Sequence, residues 1–201
     1  MNSKALCGSL ILLMLLTACV SSGPKTQYYT LYTQVQPEIH TPLVGDKLSF
    51  GIGPIILPEY LDHPAVVSRT QTQQIRVSGT YAWGGNLKAT VGRVLASNLS
   101  EYWQQDSVWA FPWDNRARPE YQIRIVFDDF AGVRGGTVSV NARWMLFEQG
   151  GKKEIAVGTI QLSGETTDES VEAYVKSLNS LLNAFSVELA KEVAEELSAF
   201  Q

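Results

Sequence analysis

From Val171 to Leu197, apolar side chains recur every three or four positions: Val171, Tyr174, Val175, Leu178, Leu181, Leu182, Phe185, Leu189, Val193 and Leu197. That spacing lines one face of a helix about 30 residues long, and Glu188, Glu192, Glu195 and Glu196 fall off the stripe toward water. Asp168 is placed to cap its start. Such a stripe must be covered by another layer, and the preceding segment has the pattern of one. Tyr121–Phe130 alternates, with Tyr121, Ile123, Ile125 and Phe127 on one side and Gln122, Arg124 and Asp128 mostly on the other. Thr137–Glu148 repeats the alternation through Val138, Val140, Ala142, Trp144 and Leu146. Gly150-Gly151 joins it to Glu154–Gly164 as a hairpin turn would.

A second helical stripe runs through Leu87–Trp103, at Leu87, Val91, Val94, Leu95, Leu99, Tyr102 and Trp103. Shorter β candidates are residues 28–33, Leu48–Leu57, Ala65–Thr70, Gln74–Ser78 and Ser107–Pro112, with Gln34–Lys47 as a loop. This order predicts an α+β fold: a single domain, mostly antiparallel sheet, with two helices packed on it.

The N-terminus reads as an address. Lys4 is the only charge before a mostly leucine stretch over Ala5–Leu16, a short basic region followed by an apolar core of secretory-signal length. That core is too short for a membrane span, which needs about 20 apolar residues. Leu16-Thr17-Ala18-Cys19 follows and looks like a bacterial lipobox. The expected organisation is a signal peptide over 1–18, a lipidated Cys19 with a flexible tether over 19–27, and a folded domain over 28–201. In lipoproteins of this class the cysteine thiol takes a diacylglycerol and the new amine takes an acyl chain such as palmitate. More than one acyl chain gives stable anchoring. Val20 stands where an aspartate would favour inner-membrane retention, so the expected site is the periplasmic face of the outer membrane.

The formal net charge of −4 offers no basic footprint for nucleic acid. Gly51-Ile52-Gly53 begins like a dinucleotide fingerprint, but it lacks the third glycine and the following helix; a strand bulge is the better use of those glycines. Two histidines far apart, His40 and His63, cannot make a zinc site, so no metal is expected. Asp128 and Asp129 are adjacent in a strand and point to opposite faces, so they cannot share a proton as a catalytic dyad does. No nucleophile is paired with a base. No catalytic residue and no cofactor are expected beyond the covalent lipid. Trp103, Trp109, Trp113 and Trp144 sit in or beside periodic segments and read as core. Trp83 lies in a glycine-flanked stretch and has two readings, core packing or a partner anchor.

Several segments together resemble the PqiC-type family of ABC-type transport auxiliary lipoproteins, also described as membrane integrity-associated transporter subunits. Tyr29-Thr30-Leu31 is similar to the family's opening strand. Leu57-Pro58-Glu59-Tyr60-Leu61-Asp62-His63-Pro64-Ala65-Val66-Val67-Ser68-Arg69 resembles its most recognisable motif. Trp83, Leu87 and Arg93–Leu99 are similar to its tryptophan and first helix, and Ala142–Leu146 to a late strand. His63 departs from the basic residue, usually arginine, at that place.

The resemblance implies a non-catalytic accessory subunit of an MCE-type phospholipid transport system, docking an MCE tunnel protein and its inner-membrane partners, with a homo-oligomeric ring as one arrangement. Tyr60, Leu61 and Trp83 are the candidate partner contacts; packing of the loop onto the sheet is the competing role of Tyr60 and Leu61. The prolines stiffen the Pro58–Pro64 segment and reduce the ordering cost of binding. A direct lipid carrier or outer-membrane assembly chaperone is the alternative, and it requires an apolar pocket of several hundred Å³.

Overall fold

The structure is a computed structural model that describes residues 23–36, 38–43, 47–114, 116–148 and 150–200. Cys19 and the signal segment lie outside the described residues. Among the described residues, eight strands and two helices follow in chain order: β1 (Gln27–Tyr29), β2 (Phe50–Ile56), β3 (Ala65–Arg69), β4 (Ile75–Trp83), α1 (Leu87–Trp103), β5 (Val108–Ala110), β6 (Tyr121–Gly132), β7 (Thr137–Glu148), β8 (Lys153–Glu165) and α2 (Val171–Phe200). A 3-10 turn over Glu59–Leu61 separates β2 from β3.

The strands form two sheets, ordered β1-β4-β3 and β5-β2-β6-β7-β8. The α+β class and both helices agree with the periodicity. The pairing is more mixed than a mostly antiparallel sheet: β2 runs parallel to β5 and β6, and β1 runs parallel to β4. Parallel neighbours need a long crossover, and α1 supplies one between β2 and β5, packing on both. Side-chain alternation reports which face is buried and carries no sign of strand direction, so this feature was silent in the sequence.

Both helices cover the large sheet and touch each other. Phe50 stacks between Trp103 and Tyr121, with ring centroids at 4.6 and 5.3 Å. Phe127 meets Phe185 at 5.4 Å and ties β6 to α2. Trp103 and Trp144 are buried as expected; Trp109 and Trp113 are half-buried. The Trp103 indole N–H donates to the Ala190 carbonyl at 3.0 Å, and the Trp144 indole N–H to Glu192 Oε2 at 2.6 Å. Gly158 lies against Trp144: a Cβ there would stand 2.6 Å from the ring.

Three local readings change. Ser170, not Asp168, caps α2: its Oγ accepts from the Ala173 N–H at 3.0 Å. Asp168 instead accepts from the Ser170 N–H at 2.7 Å and holds the cap in place. Its carboxyl is lowered below the ordinary value of 3.8, first by the Ser170 hydroxyl and then by the Ser170 backbone N–H. β1 stops at Tyr29 rather than running to Thr33, because residues 30–36 leave the sheet and cross to α2. There the Tyr32 N–H donates to Asn179 Oδ1 at 2.8 Å and the Gln34 N–H to Asn183 Oδ1 at 2.7 Å. The Asn183 amide returns a bond to the Tyr32 carbonyl at 3.1 Å. Two buried asparagines thus substitute for a strand partner. β4, expected over Gln74–Ser78, continues to Trp83. The glycines of β2 do serve a bulge: Gly53 has φ +125° and the register with β6 shifts between Ile52 and Ile55.

Candidate docking site at the Pro58–Pro64 ridge

The motif segment leaves β2 at Leu57-Pro58 and folds back on itself. The Leu61 N–H donates to the Pro58 carbonyl at 2.9 Å and the Asp62 N–H to the Glu59 carbonyl at 3.0 Å. His63 Nδ1 accepts from the Ala65 N–H at 3.0 Å. The Trp83 N–H donates to the Pro64 carbonyl at 2.7 Å, which fastens the far end to β4. Two prolines and four such bonds make this a preorganised ridge rather than a free loop.

The ridge separates two surface clefts. One, of about 460 Å³, is lined by Ile55, Ile56, Leu57, Glu59 and Lys88. The other, of about 600 Å³, is lined by Tyr28, His63, Pro64, Trp83 and Gly84 among others. Leu61 and Asp62 line both. The three candidate contact residues therefore separate. Leu61, 3% exposed, and Trp83, 7% exposed, are core residues whose edges form cleft floor. Tyr60 lines neither cleft and turns toward the sheet.

Tyr60 leads to a polar cluster that the sequence did not disclose. Its hydroxyl donates to Asp129 Oδ1 at 3.4 Å. Arg69 Nη2 donates to Asp129 Oδ2 at 2.8 Å and to the Ala131 carbonyl at 3.2 Å, and the Ser139 hydroxyl donates to the same Asp129 oxygen at 2.5 Å. The Tyr174 hydroxyl donates to the Val67 carbonyl at 3.0 Å and accepts from the Gly132 N–H at 3.3 Å. Burial first, then the Asp129 charge, raises the Tyr60 phenol above its ordinary value; burial likewise raises Tyr174 far above the physiological range. Both stay neutral donors. The cluster joins the arginine that ends the motif to the bulge of β6 at Phe127/Asp129. Asp128 and Asp129 do not part as alternation predicts: the bulge at Phe127/Asp129 leaves both on the face of β7 that carries Ser139 and Arg143, with Asp128 beside Arg143 at 3.6 Å. A charged residue closing an apolar strand was the only sequence signal for Arg69, and nothing in the sequence named its partner.

Among the described residues, no three His, Cys, Asp or Glu side chains group as a metal site requires, and no helix is long and apolar enough to cross a membrane. The polar cluster stitches backbone segments together, and its one carboxylate is already held by three side chains.

Residues 29–190 match the family described as the ABC-type transport auxiliary lipoprotein component. The chain belongs to that family. The match opens at Tyr29 in β1 and closes inside α2, so it takes in both sheets, both helices and the whole ridge. The fold is shared with the crystal structure of protein XCC0632 from Xanthomonas campestris, at TM-score 0.72 and 13% identity over 85% of this chain and 96% of that one. It is shared too with a crystal structure described only as an uncharacterized protein, at TM-score 0.64 and 20% identity over 85% of this chain and 99% of that one. No curated protein sequence matches the chain. Family membership gives an accessory role in ABC-type transport to a lipoprotein.

Proposed function

We propose that the chain is a periplasmic lipoprotein held on the outer membrane through acylated Cys19. In this reading it is a non-catalytic docking subunit of an MCE-type phospholipid transport system that maintains the envelope. Its partners are an MCE tunnel protein and the inner-membrane components joined to it, with copies of the chain assembling around the tunnel's end. The observation that carries the reading is the preorganised Pro58–Pro64 ridge, set between two clefts beside the strand that continues the tether. A partner's apolar side chains would enter the clefts over Leu61 and Trp83, while Tyr60, Asp129 and Arg69 keep the ridge rigid beneath them.

Two measurements test this. Palmitate labelling in cells should mark the native chain and lose the label with Cys19→Ala, together with outer-membrane fractionation; a labelled Cys19→Ala chain overturns the anchor. Crosslinking from the ridge should recover an MCE protein. Glu59→Lys, which reverses a charge on a cleft wall, should reduce that recovery without changing the melting temperature. Undiminished recovery would remove the ridge from the contact. Phospholipid retained by the delipidated monomer in native mass spectrometry would favour a lipid carrier instead.

A further inference from the structure

The charges of this acidic chain are unevenly placed. Residues 63–100 contain no Asp or Glu, yet they carry Arg69, Arg76, Lys88 and Arg93. The tether from Cys19 to Gln27 also lacks an acid and carries Lys25. The strands within these segments come together in space, because β1, β4 and β3 form one sheet. No strand of that sheet holds a carboxylate.

The register fixes where the tether goes. β1 is parallel to β4, with Gln27 opposite Tyr81 and Tyr29 opposite Trp83. The tether therefore enters β1 at the end that faces the β3–β4 hairpin. Val77 lies four residues before Tyr81, across an irregularity where Ser78 Oγ accepts from the Thr80 and Tyr81 N–H groups. The chain from Cys19 to Gln27 can span at most about 28 Å. That reach from Gln27 brings an acylated Cys19, and the bilayer with it, within range of the small sheet and its β3–β4 hairpin.

That end is built for a headgroup layer. Ile75 and Val77 are 46% and 47% exposed on one face of the ribbon. Arg76 and Arg134 line two adjoining hollows of about 300 and 290 Å³, the first of them shared with Val77. Ser68, Ser78 and Thr80 line the first, and Thr70, Thr72 and the single acid, Glu169, the second. Arg134 Nε is buried with no hydrogen-bond partner among the described residues. Apolar tips beside hydroxyls and arginines match the boundary between acyl chains and lipid phosphates.

We infer that the β3–β4 hairpin end is a bilayer-contacting face, with Ile75 and Val77 entering the interface and Arg76 and Arg134 binding lipid phosphates. This rests on the acylation of Cys19 proposed above. The lipid anchor then fixes orientation as well as location: the hairpin faces the outer membrane, and the acidic five-stranded sheet with its helices faces away.

The test uses the full acylated chain in vesicles of phosphatidylethanolamine and phosphatidylglycerol. Cys7 leaves with the signal and Cys19 is blocked, so Val77→Cys gives a single thiol for an environment-sensitive dye. Val157→Cys on β8, where the side chain is 61% exposed in the other sheet, is the control. Lipid-borne quenchers are expected to quench the dye at 77 and spare it at 157. Ile75→Cys repeats the measurement should Val77→Cys perturb the strand. Arg76→Ala and Arg134→Ala should each lower the docked-to-free ratio about fivefold, as expected for one basic side chain at an anionic surface. An acylated chain whose dyes at 75 and 77 stay unquenched overturns the orientation and leaves the anchor standing. Loss of palmitate and of vesicle binding in the native chain instead defeats the anchor itself. Quenching at 77 that ignores both arginine changes removes the phosphate contact. A dye at 77 already blue-shifted without vesicles, gaining nothing from them, assigns the patch to protein and overturns the proposal.

Discussion

Removing the Asp129 carboxylate should loosen the ridge from beneath. The side chains of Arg69 and Asp129 are 24% and 20% exposed, so their ion pair is mostly shielded. An exposed pair contributes about 0–1 kcal/mol, whereas breaking a fully buried one costs about 3–5 kcal/mol because a charge is stranded. Intermediate burial places Asp129→Ala at about 2 kcal/mol, with the Ser139 hydroxyl also losing its short bond. In a domain of this size that lowers Tm by about 4–8 °C. The pair can be separated from simple truncation. Arg69→Met strands Asp129 in turn, but the double change strands nothing and should recover part of the loss, giving a coupling of about 1–2 kcal/mol. Urea unfolding of the three variants measures the cycle. Hydrogen exchange should show faster opening at the Leu61 and Asp62 amides in Asp129→Ala, since Tyr60 loses its acceptor. Additive single changes, or an Asp129→Ala Tm within about 1 °C of native, would refute the reasoning that this cluster holds the motif.

Gly158→Ala forces a methyl against the Trp144 ring and should cost about 1–3 kcal/mol by overpacking, read by thermal unfolding. Asn183→Ala removes the acceptor of the Gln34 N–H and the donor to the Tyr32 carbonyl, for about 2 kcal/mol; exchange at the Gln34 amide should accelerate before the rest of the domain. Ser170→Ala should cost about 1 kcal/mol as a lost helix cap, and Asp168→Ala less, since it only supports that cap. The sign of the Asp168 effect with pH follows from its lowered carboxyl. Its contribution is complete above 3.8 and fades as pH falls through the lower folded value, so native and Asp168→Asn stability curves should converge at the acid end.

What could be read from the sequence was what a single element reports about itself. The stripes of Leu87–Trp103 and the run to Leu197 gave both helices because a helix face is written every three or four residues. The alternation of Thr137–Glu148 gave β7 to the residue. What escaped depends on partners distant in the chain. Residues 30–33 have β-forming side chains, yet the Tyr32 amide and the Gln34 amide just beyond them bond to side chains on α2, 147 and 149 positions away. Gly79 looked like the end of a strand. β4 instead resumes beyond it, since after an irregularity between Val77 and Ala82 both β1 and β3 supply partners, Tyr81 to Trp83 pairing with β1 and Ala82 with Ala65. At the candidate site the motif was legible as a stiffened segment. Packing of Leu61 and Trp83 was one of the two readings open for each, and both are buried; the clefts above them were not legible, because they form only when β2, β4 and α1 converge. Arg69 stood in the motif, but Asp129 lies 60 positions on and meets it through a bulge.

The same connections say how an anchor could act on the ridge. The tether continues directly into β1, β1 pairs with β4, and β4 pairs with β3, which carries Arg69. Arg69 is clamped to Asp129 in the five-stranded sheet. Just past β1, the strap at Tyr32 and Gln34 is locked to α2 by buried amides. In the proposed anchoring, a displacement passed into β1 is therefore shared between the small sheet and the long helix before it reaches the ridge. Because strand pairing and buried amide bonds are directional, the ridge keeps one orientation relative to β1 rather than swinging on a loose arm. In the proposed anchoring, this rigid splice holds the docking face at a fixed angle to the hairpin. Were Asn179 and Asn183 both replaced by alanine, that splice would reduce to three residues of β1. The strap's amides should then exchange as the tether's do, and crosslinks from the ridge should spread over several partner positions instead of few.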